Sequence, residues 1–315
     1  MKAQDLIEKI VAEIIAEIDA GALPWAKPWT DSKTEGRTRL NLGGLALPLR
    51  STGEAYRGIN ILSLWIAASE NGFRGRYWFT FKQAQALGGM VKKSSKASGV
   101  IYADKAKKEE TGANGETVQK TYAFLKAYAV FNSEQIDGLP EKFYLKMPVQ
   151  AEQPQPEQAA QPVESIEIPG REWLATIPAT IRHGGNRAYF SPAADMIQIP
   201  EPGQFKTPQA YTSTLVHELT HWTGHKSRLD RLEHKSWGND AYAFEELVAE
   251  LGAAFGCANL GLVPDIRTDH APYLASWLKA LKAEPRALVS AAAKASQAID
   301  YLDGYSQAQA VRGAA

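Results

Sequence analysis

The sequence predicts an α+β protein of two domains, and three observations carry that reading. Helical and strand periodicities occur in both halves of the chain. Residues 149–165, VQAEQPQPEQAAQPVES, have no apolar period and read as a flexible linker between units at 1–148 and 166–315. The charge changes sign across that stretch. Residues 1–148 carry 21 Lys/Arg against 16 Asp/Glu, a balance of +5, and the remainder carry 14 against 19, a balance of −5. The 315 residues are enough for each unit to bury its own core. No apolar run reaches the ~20 residues needed to cross a membrane. Acidic residues interrupt the N-terminal segment, so it does not read as a signal peptide, and the single cysteine, Cys257, excludes an intramolecular disulfide. The chain is expected to be cytoplasmic.

In the first unit, Leu6, Ile7, Ile10, Val11, Ile14, Ile15 and Ile18 recur at helical spacing, with Gly21 as a stop. GALPWAKPWT is loop or extended because its X-Pro steps disfavour helix. INILSLWIAASENG predicts a second helix ending at Gly72, RYWFTF a strand, and FKQAQALGG a short helix closed by glycines. GVIYA and KTYAFLKAYAVFN predict two strands joined by the charged loop KAKKEETGANGE. In the second unit RAYFSPAADMIQIP predicts a hairpin. PQAYTSTLVHELTHWTG is a helix with Thr207 as cap and Pro208 at its first position. DAYAFEELVAELGAAFGCANLG is a second long helix, capped by Asp240, and further helices follow.

The segment HELTH places His217 and His221 four residues apart, on one helical face, where both can reach one metal ion. Glu218 is rotated away from ligation but close enough to accept a proton from a water held by that ion. Two imidazoles and a third protein ligand leave a position open, which is the pattern of a catalytic zinc site. The third ligand is expected on the next long helix, which carries Glu245, Glu246 and Glu250. Glu246 is favoured as ligand and Glu250 as the carboxylate that orients a ligating histidine, with Glu250 or Glu245 as alternative ligands. His225 stands too close to His221 for the longer three-histidine motif and fits a supporting role better. Arg228 and Arg231 can stabilise an oxyanion or pair with the acidic helix, and the second role is the simpler. Zinc fits the donor set, and manganese or cobalt would also fit.

The first unit suggests a different partner. Residues 50–108 hold 11 basic against 3 acidic residues, a balance of +8, interleaved with aromatic rings. Single-stranded nucleic acid is bound by rings that stack on bases and cations that follow phosphates. The candidate contacts are Arg57, Arg74, Arg76, Trp78, Lys82, Lys92, Lys93 and Lys96.

The segments PWAKPW, YRGIN, WFTFKQAQALGG, VFNSEQIDGLP, AYFSPAADMIQIP, HELTHWTGHKSRLDR and FEELVAELGAAF, in this order, resemble the ArdC family of antirestriction proteins. The first unit is also similar to the N-terminal region of TraC-type plasmid primases. The resemblance implies a single-stranded-DNA-binding domain followed by a zincin-like metallopeptidase domain. It also implies a role in protecting plasmid DNA from host restriction, of type I above all, during conjugation, with host restriction-enzyme subunits as possible partners. The family's metal motif falls on His217, Glu218 and His221, and its acidic helix on Glu246 and Glu250. The strand in YFSPAADMIQIP would pair with an extended substrate. Two alternatives stand beside this reading: a protein that protects by binding DNA alone, with the metal fold as scaffold, and a DNA-processing enzyme. A flexible linker would couple the two units by raising local concentration on bound DNA.

Overall fold

The computed structural model describes residues 2–20, 46–111, 117–144, 166–232, 241–262, 277–279 and 281–313. The expected linker at 149–165, Trp25, Trp29, Gly21, Asp240, His234 and His270 lie outside them.

Helix α1 (Ala3–Asp19) buries the predicted face, Leu6, Ile7, Ile10, Val11, Ile14 and Ile18. After strand β1 (Leu49–Arg50), helix α2 (Ile59–Asn71) stops at Gly72, whose left-handed backbone (φ 68°) a side chain would strain. Strand β2 (Tyr77–Phe79) leads into α3 (Phe81–Ala86), capped by the Thr80 hydroxyl, which accepts from Gln83 N at 3.2 Å. Strands β3 (Met90–Val91), β4 (Ser98–Thr111), β5 (Thr117–Asn132) and β6 (Ile136–Asp137) follow. The main sheet has the order β1-β2-β5-β4, with β1 parallel to β2 and the other pairs antiparallel, while β3 pairs with β6 apart from it.

The β4–β5 hairpin is longer than the sequence suggests. Its ladder runs from Ser98↔Val130 to Thr111↔Thr117, so most of the charged segment expected as loop is strand. The segment KAKKEET lacks the apolar alternation by which a strand is recognised in sequence.

The second half contains α4 (Arg171–Thr176) and a three-stranded sheet of order β7-β9-β8, built from β7 (Thr180–His183), β8 (Tyr189–Ser191) and β9 (Met196–Ile199). The predicted hairpin is β8–β9, and β8 is one of the sheet's two edge strands. Helices α5 (Pro208–Thr223), α6 (Ala241–Asn259) and α7 (Arg286–Gly313) complete it. Cys257 is fully buried, as expected of a core thiol. No helix among the described residues is long and apolar enough to cross a membrane.

The two halves share one hydrophobic core. It runs from Ile14 and Leu62 through Leu215 and Val248 to Leu288 and Leu302. Trp65 of α2 packs edge-to-face on Phe255 of α6, with ring centroids 5.7 Å apart. The Ser296 hydroxyl of α7 accepts from Gly58 N at 2.8 Å, and Arg57 is ion-paired with Asp300. Lys282 Nζ meets Asp19 Oδ2 at 2.8 Å on the outside.

Helices α5 and α6 approach closely because α6 presents glycines there. A Cβ at Gly252 would stand 2.4 Å from Thr220 Oγ1, and one at Gly256 would stand 2.6 Å from Val216 Cγ1. We predict that Gly252→Ala lowers stability by about 1–2 kcal/mol, because overpacking outweighs the roughly 1 kcal/mol that alanine gains in a helix. Thermal denaturation of the variant beside the wild type measures it, and an unchanged midpoint would show that this contact does not set the helix spacing.

Candidate functional site

Helix α5 begins at Thr207, whose hydroxyl accepts from Ala210 N at 3.1 Å, with Pro208 at the first helical position. Leu215, Leu219 and Trp222 bury one side of it. The side that faces α6 carries His217 and His221, with Glu218 buried next to His217 in the chain. His217 and Glu218 are 3% and 2% exposed, too little for the pair to be an ordinary solvated surface. On α6, Leu247, Val248, Leu251 and Phe255 fix the helix in the core and turn Glu245, Glu246 and Glu250 toward α5.

The carboxylates arrange themselves around the two imidazoles in a definite order. Glu246 lies between them, with Oε2 3.6 Å from His217 Nε2 and Oε1 3.4 Å from His221 Nε2. Each outer ring nitrogen has a carboxylate of its own. His217 Nδ1 is 3.5 Å from Glu250 Oε2, and His221 Nδ1 is 3.3 Å from Glu245 Oε1. A carboxylate can only accept, so His221 Nδ1 is the donor in that contact. The rings stand nearly edge-on, 4.9 Å apart.

Burial alone would lower both histidines. It is overcome for His217 by hydrogen bonds with Glu246 and Glu250, which leave it raised. Hydrogen bonds with Glu245 and Glu246 push His221 up to about 10. Burial likewise opposes ionisation of Glu246, but the two imidazoles hold it well below the usual carboxylate range.

One ligand atom each from His217, His221 and Glu246 lies within 4.8 Å of the others. Two imidazole nitrogens and one carboxylate oxygen, with a carboxylate near each remaining imidazole nitrogen, fit a divalent cation. Among the three glutamates that the sequence left open, geometry therefore sets Glu246 at the point of convergence and Glu245 and Glu250 behind the rings.

The neighbouring residues divide. His225 turns to Ser227 Oγ, 2.8 Å from its Nδ1, and away from the two histidines. Arg231 pairs with the acidic helix through Glu245. Arg228 does not. It stacks over Trp222, with Cζ 4.0 Å from the ring centroid, and pairs with Asp195 in the β8–β9 turn. That hydrogen bond holds the Asp195 carboxyl below its ordinary range and ties the turn to the end of α5. Strand β8 thus lies as an edge beside the helix that carries the histidines.

In the first half, the candidate contacts separate as well. Arg74, Lys82, Lys93 and Lys96 are exposed. Lys92 is exposed too, with its ammonium on the Glu134 carbonyl at 2.8 Å and near Asp137. Arg76 is half-buried, and Arg57 is engaged by Asp300. Trp78 must be corrected. It is 2% exposed, in a cluster with Tyr56, Leu64, Ala68, Val100 and Val130, and cannot stack on a base from there.

Exposed rings occur elsewhere on the same sheet. Tyr102 of β4 and Tyr128 of β5 are 50% and 44% exposed, with centroids 6.2 Å apart. The register sets Tyr102 opposite Lys126 and Val100 opposite Tyr128, so all four share one face. Lys126 Nζ lies over the Phe124 ring at 4.9 Å. Phe81 and Met90, beside Lys82 and Lys92, are also exposed. The alternation of Phe124, Lys126 and Tyr128 along one strand was the available signal, masked by its equal fit to an ordinary half-buried strand.

Comparison with known proteins follows the same division. Residues 4–131 match the family described as the N-terminal domain of anti-restriction factor ArdC, and residues 170–294 match the zincin-like metallopeptidase family. An uncharacterised protein of Sinorhizobium fredii is 38% identical over 84% of both chains. A DNA primase TraC of Escherichia coli is 38% identical over 84% of this chain, which covers only 18% of the primase. The crystal structure of the antirestriction ArdC protein from plasmid R388 superposes with a TM-score of 0.75 and 40% identity over 96% of this chain and 97% of that one. Its Mn(II)-bound form gives 0.71 and 39%, over 95% and 97%. With both halves matched in order and a relative aligned over nearly its whole length, this chain belongs to the ArdC family of antirestriction proteins.

Proposed function

We propose that this protein protects incoming plasmid DNA from host restriction, of type I in particular, by joining single-stranded-DNA binding to metal-dependent peptide hydrolysis. The observation that carries the hydrolytic part is the convergence of His217, His221 and Glu246 beside the buried carboxylate of Glu218. Zinc is the proposed metal, since imidazole-rich sites with one carboxylate suit it, and the Mn(II) in the R388 relative keeps manganese as the second candidate.

The chain's residues take the following roles. His217, His221 and Glu246 hold the ion, which when bound supplies Lewis acidity and lowers the pKa of water. Glu218 takes the proton of the attacking water and returns it to the leaving amine. Glu250 and Glu245 keep the imidazoles in the orientation that leaves Nε2 inward. The β8 edge offers unpaired backbone groups to an extended peptide, and the Arg228–Asp195 pair fixes that edge against α5. Host restriction-enzyme subunits are the proposed peptide source.

For DNA, Tyr102 and Tyr128 provide the stacking rings, with Lys126 opposite Tyr102 on the same face and Arg74, Lys82, Lys92, Lys93 and Lys96 along the phosphates.

Two experiments test this reading. Glu218→Gln should bind metal as the wild type does and lose hydrolysis roughly 10²–10⁴-fold, and protection of conjugated DNA should fall with it. Full protection by that variant would instead favour protection by DNA binding alone. On the DNA side, Tyr102→Ala with Tyr128→Ala should cost about 1–3 kcal/mol per lost stack at an unchanged salt slope. Lys92→Ala with Lys93→Ala should flatten the salt dependence of binding by ~1 per lost phosphate contact. Fluorescence anisotropy with a labelled oligonucleotide reads both, and equal affinity in the tyrosine variant would remove the hairpin from the binding face.

A further inference from the structure

The helix α6 turns three glutamates toward two histidines, and the chain needs a way to decide which of them holds the ion. Arg231 is 7% exposed and sits at the outer end of this array. Its Nε donates to Glu245 Oε2 at 3.1 Å and its NH2 to Glu245 Oε1 at 2.8 Å, so the guanidinium engages both oxygens of that carboxylate. The same guanidinium is fastened to α5. NH1 donates to Thr223 Oγ1 at 2.9 Å and NH2 to the Thr220 carbonyl at 2.6 Å, at the turn that carries His221. The loop between is shaped to bring it there: Arg231 N donates to the Gly224 carbonyl at 2.8 Å, and a Cβ at Gly224 would meet Arg231 NH2 at 2.9 Å.

We propose that Arg231 and Glu245 form a positioning pair that sorts the carboxylates of this site: Arg231 withholds Glu245 from the metal, and Glu245 so held fixes His221 with Nε2 inward. The inference rests on the metal-site reading above. With both oxygens committed to the guanidinium, Glu245 has only the Oε1 contact with His221 Nδ1 to add, at 3.3 Å. Glu246, one residue on, is left to face both Nε2 atoms. A lysine could not do the same, because a single ammonium lacks the planar fork that grips both oxygens. The pair also sets a buried cation against the Glu245 carboxylate, which removes that negative charge from the array before metal binds.

The test is cobalt(II) titration of the full chain, read by calorimetry and by the absorption bands of bound cobalt. R231Q and E245Q should each weaken cobalt binding about tenfold to a hundredfold and shift the bands. The double variant should be no weaker than the worse single one, since the two side chains act as one unit. Melting of the metal-free proteins supplies the control for a merely structural role. If the variants melt lower but bind cobalt with wild-type affinity and spectrum, the pair is structural and the proposal is overturned. Additive losses in the double variant would overturn it as well. If R231Q does not fold, the nearly isosteric E245Q alone decides by the same affinity and spectral criteria. A wild type that binds no cobalt sinks the metal reading and this inference with it, whereas a binding wild type with unchanged variants sinks this inference alone.

Discussion

Everything at the candidate metal site depends on how closely α5 and α6 lie together. His217 and His221 are on one helix and Glu245, Glu246 and Glu250 on the other, so no single element contains a complete donor set. The glycines at 252 and 256 let Thr220 and Val216 sink into α6, and this contact lies within a turn or two of every residue in the array. Close packing here is not only a source of stability. It converts two separate helical faces into one arrangement whose tolerances are a few tenths of an ångström, the precision that coordination demands.

Once that spacing is set, the polar groups constrain one another. Buried carboxylates and imidazoles are expensive in isolation and acceptable when each meets an opposite. Glu246 is satisfied by two rings, Glu250 by one, and Glu245 by a ring and a guanidinium. The helices are held by apolar residues such as Leu219, Leu247 and Phe255 on their far sides. Apolar burial therefore supplies the grip and the polar array supplies the specificity. The same division applies at the β8 edge, where Ile197 and Ile199 anchor the sheet and Arg228 with Asp195 set the turn.

The sequence made some of this legible and not the rest, for physical reasons. The one-face relation of His217 and His221 follows from helical geometry alone, and so does the Thr207 cap. The choice among Glu245, Glu246 and Glu250 does not, because all three stand within two turns of one helix and only the neighbouring helix distinguishes them. Trp78 failed for a related reason. Alternation in RYWFTF assigns Tyr77 and Phe79 to one face and Trp78 to the other, and a strand half-covered by solvent would expose one set. Here both faces are covered, one by α2 through Leu64 and Ala68, the other by Phe143 and Ala84. The exposed tyrosines, Tyr102 and Tyr128, lie instead on the β4–β5 hairpin. That hairpin's length was itself hidden, since charged residues in a two-stranded ribbon carry no apolar period.

The core shared by the two halves changes what their covalent connection means. Trp65 against Phe255, Gly58 against Ser296 and Arg57 against Asp300 join them without help from residues 149–165. A tether that confers proximity is redundant between partners that are already docked. The two domains are then better regarded as docked on one another through a shared core than as modules on a string. Packing across that interface makes the spacing between the sheet that carries Tyr102 and Tyr128 and the cluster of His217, His221 and Glu246 a fixed length, a ruler carried by the molecule.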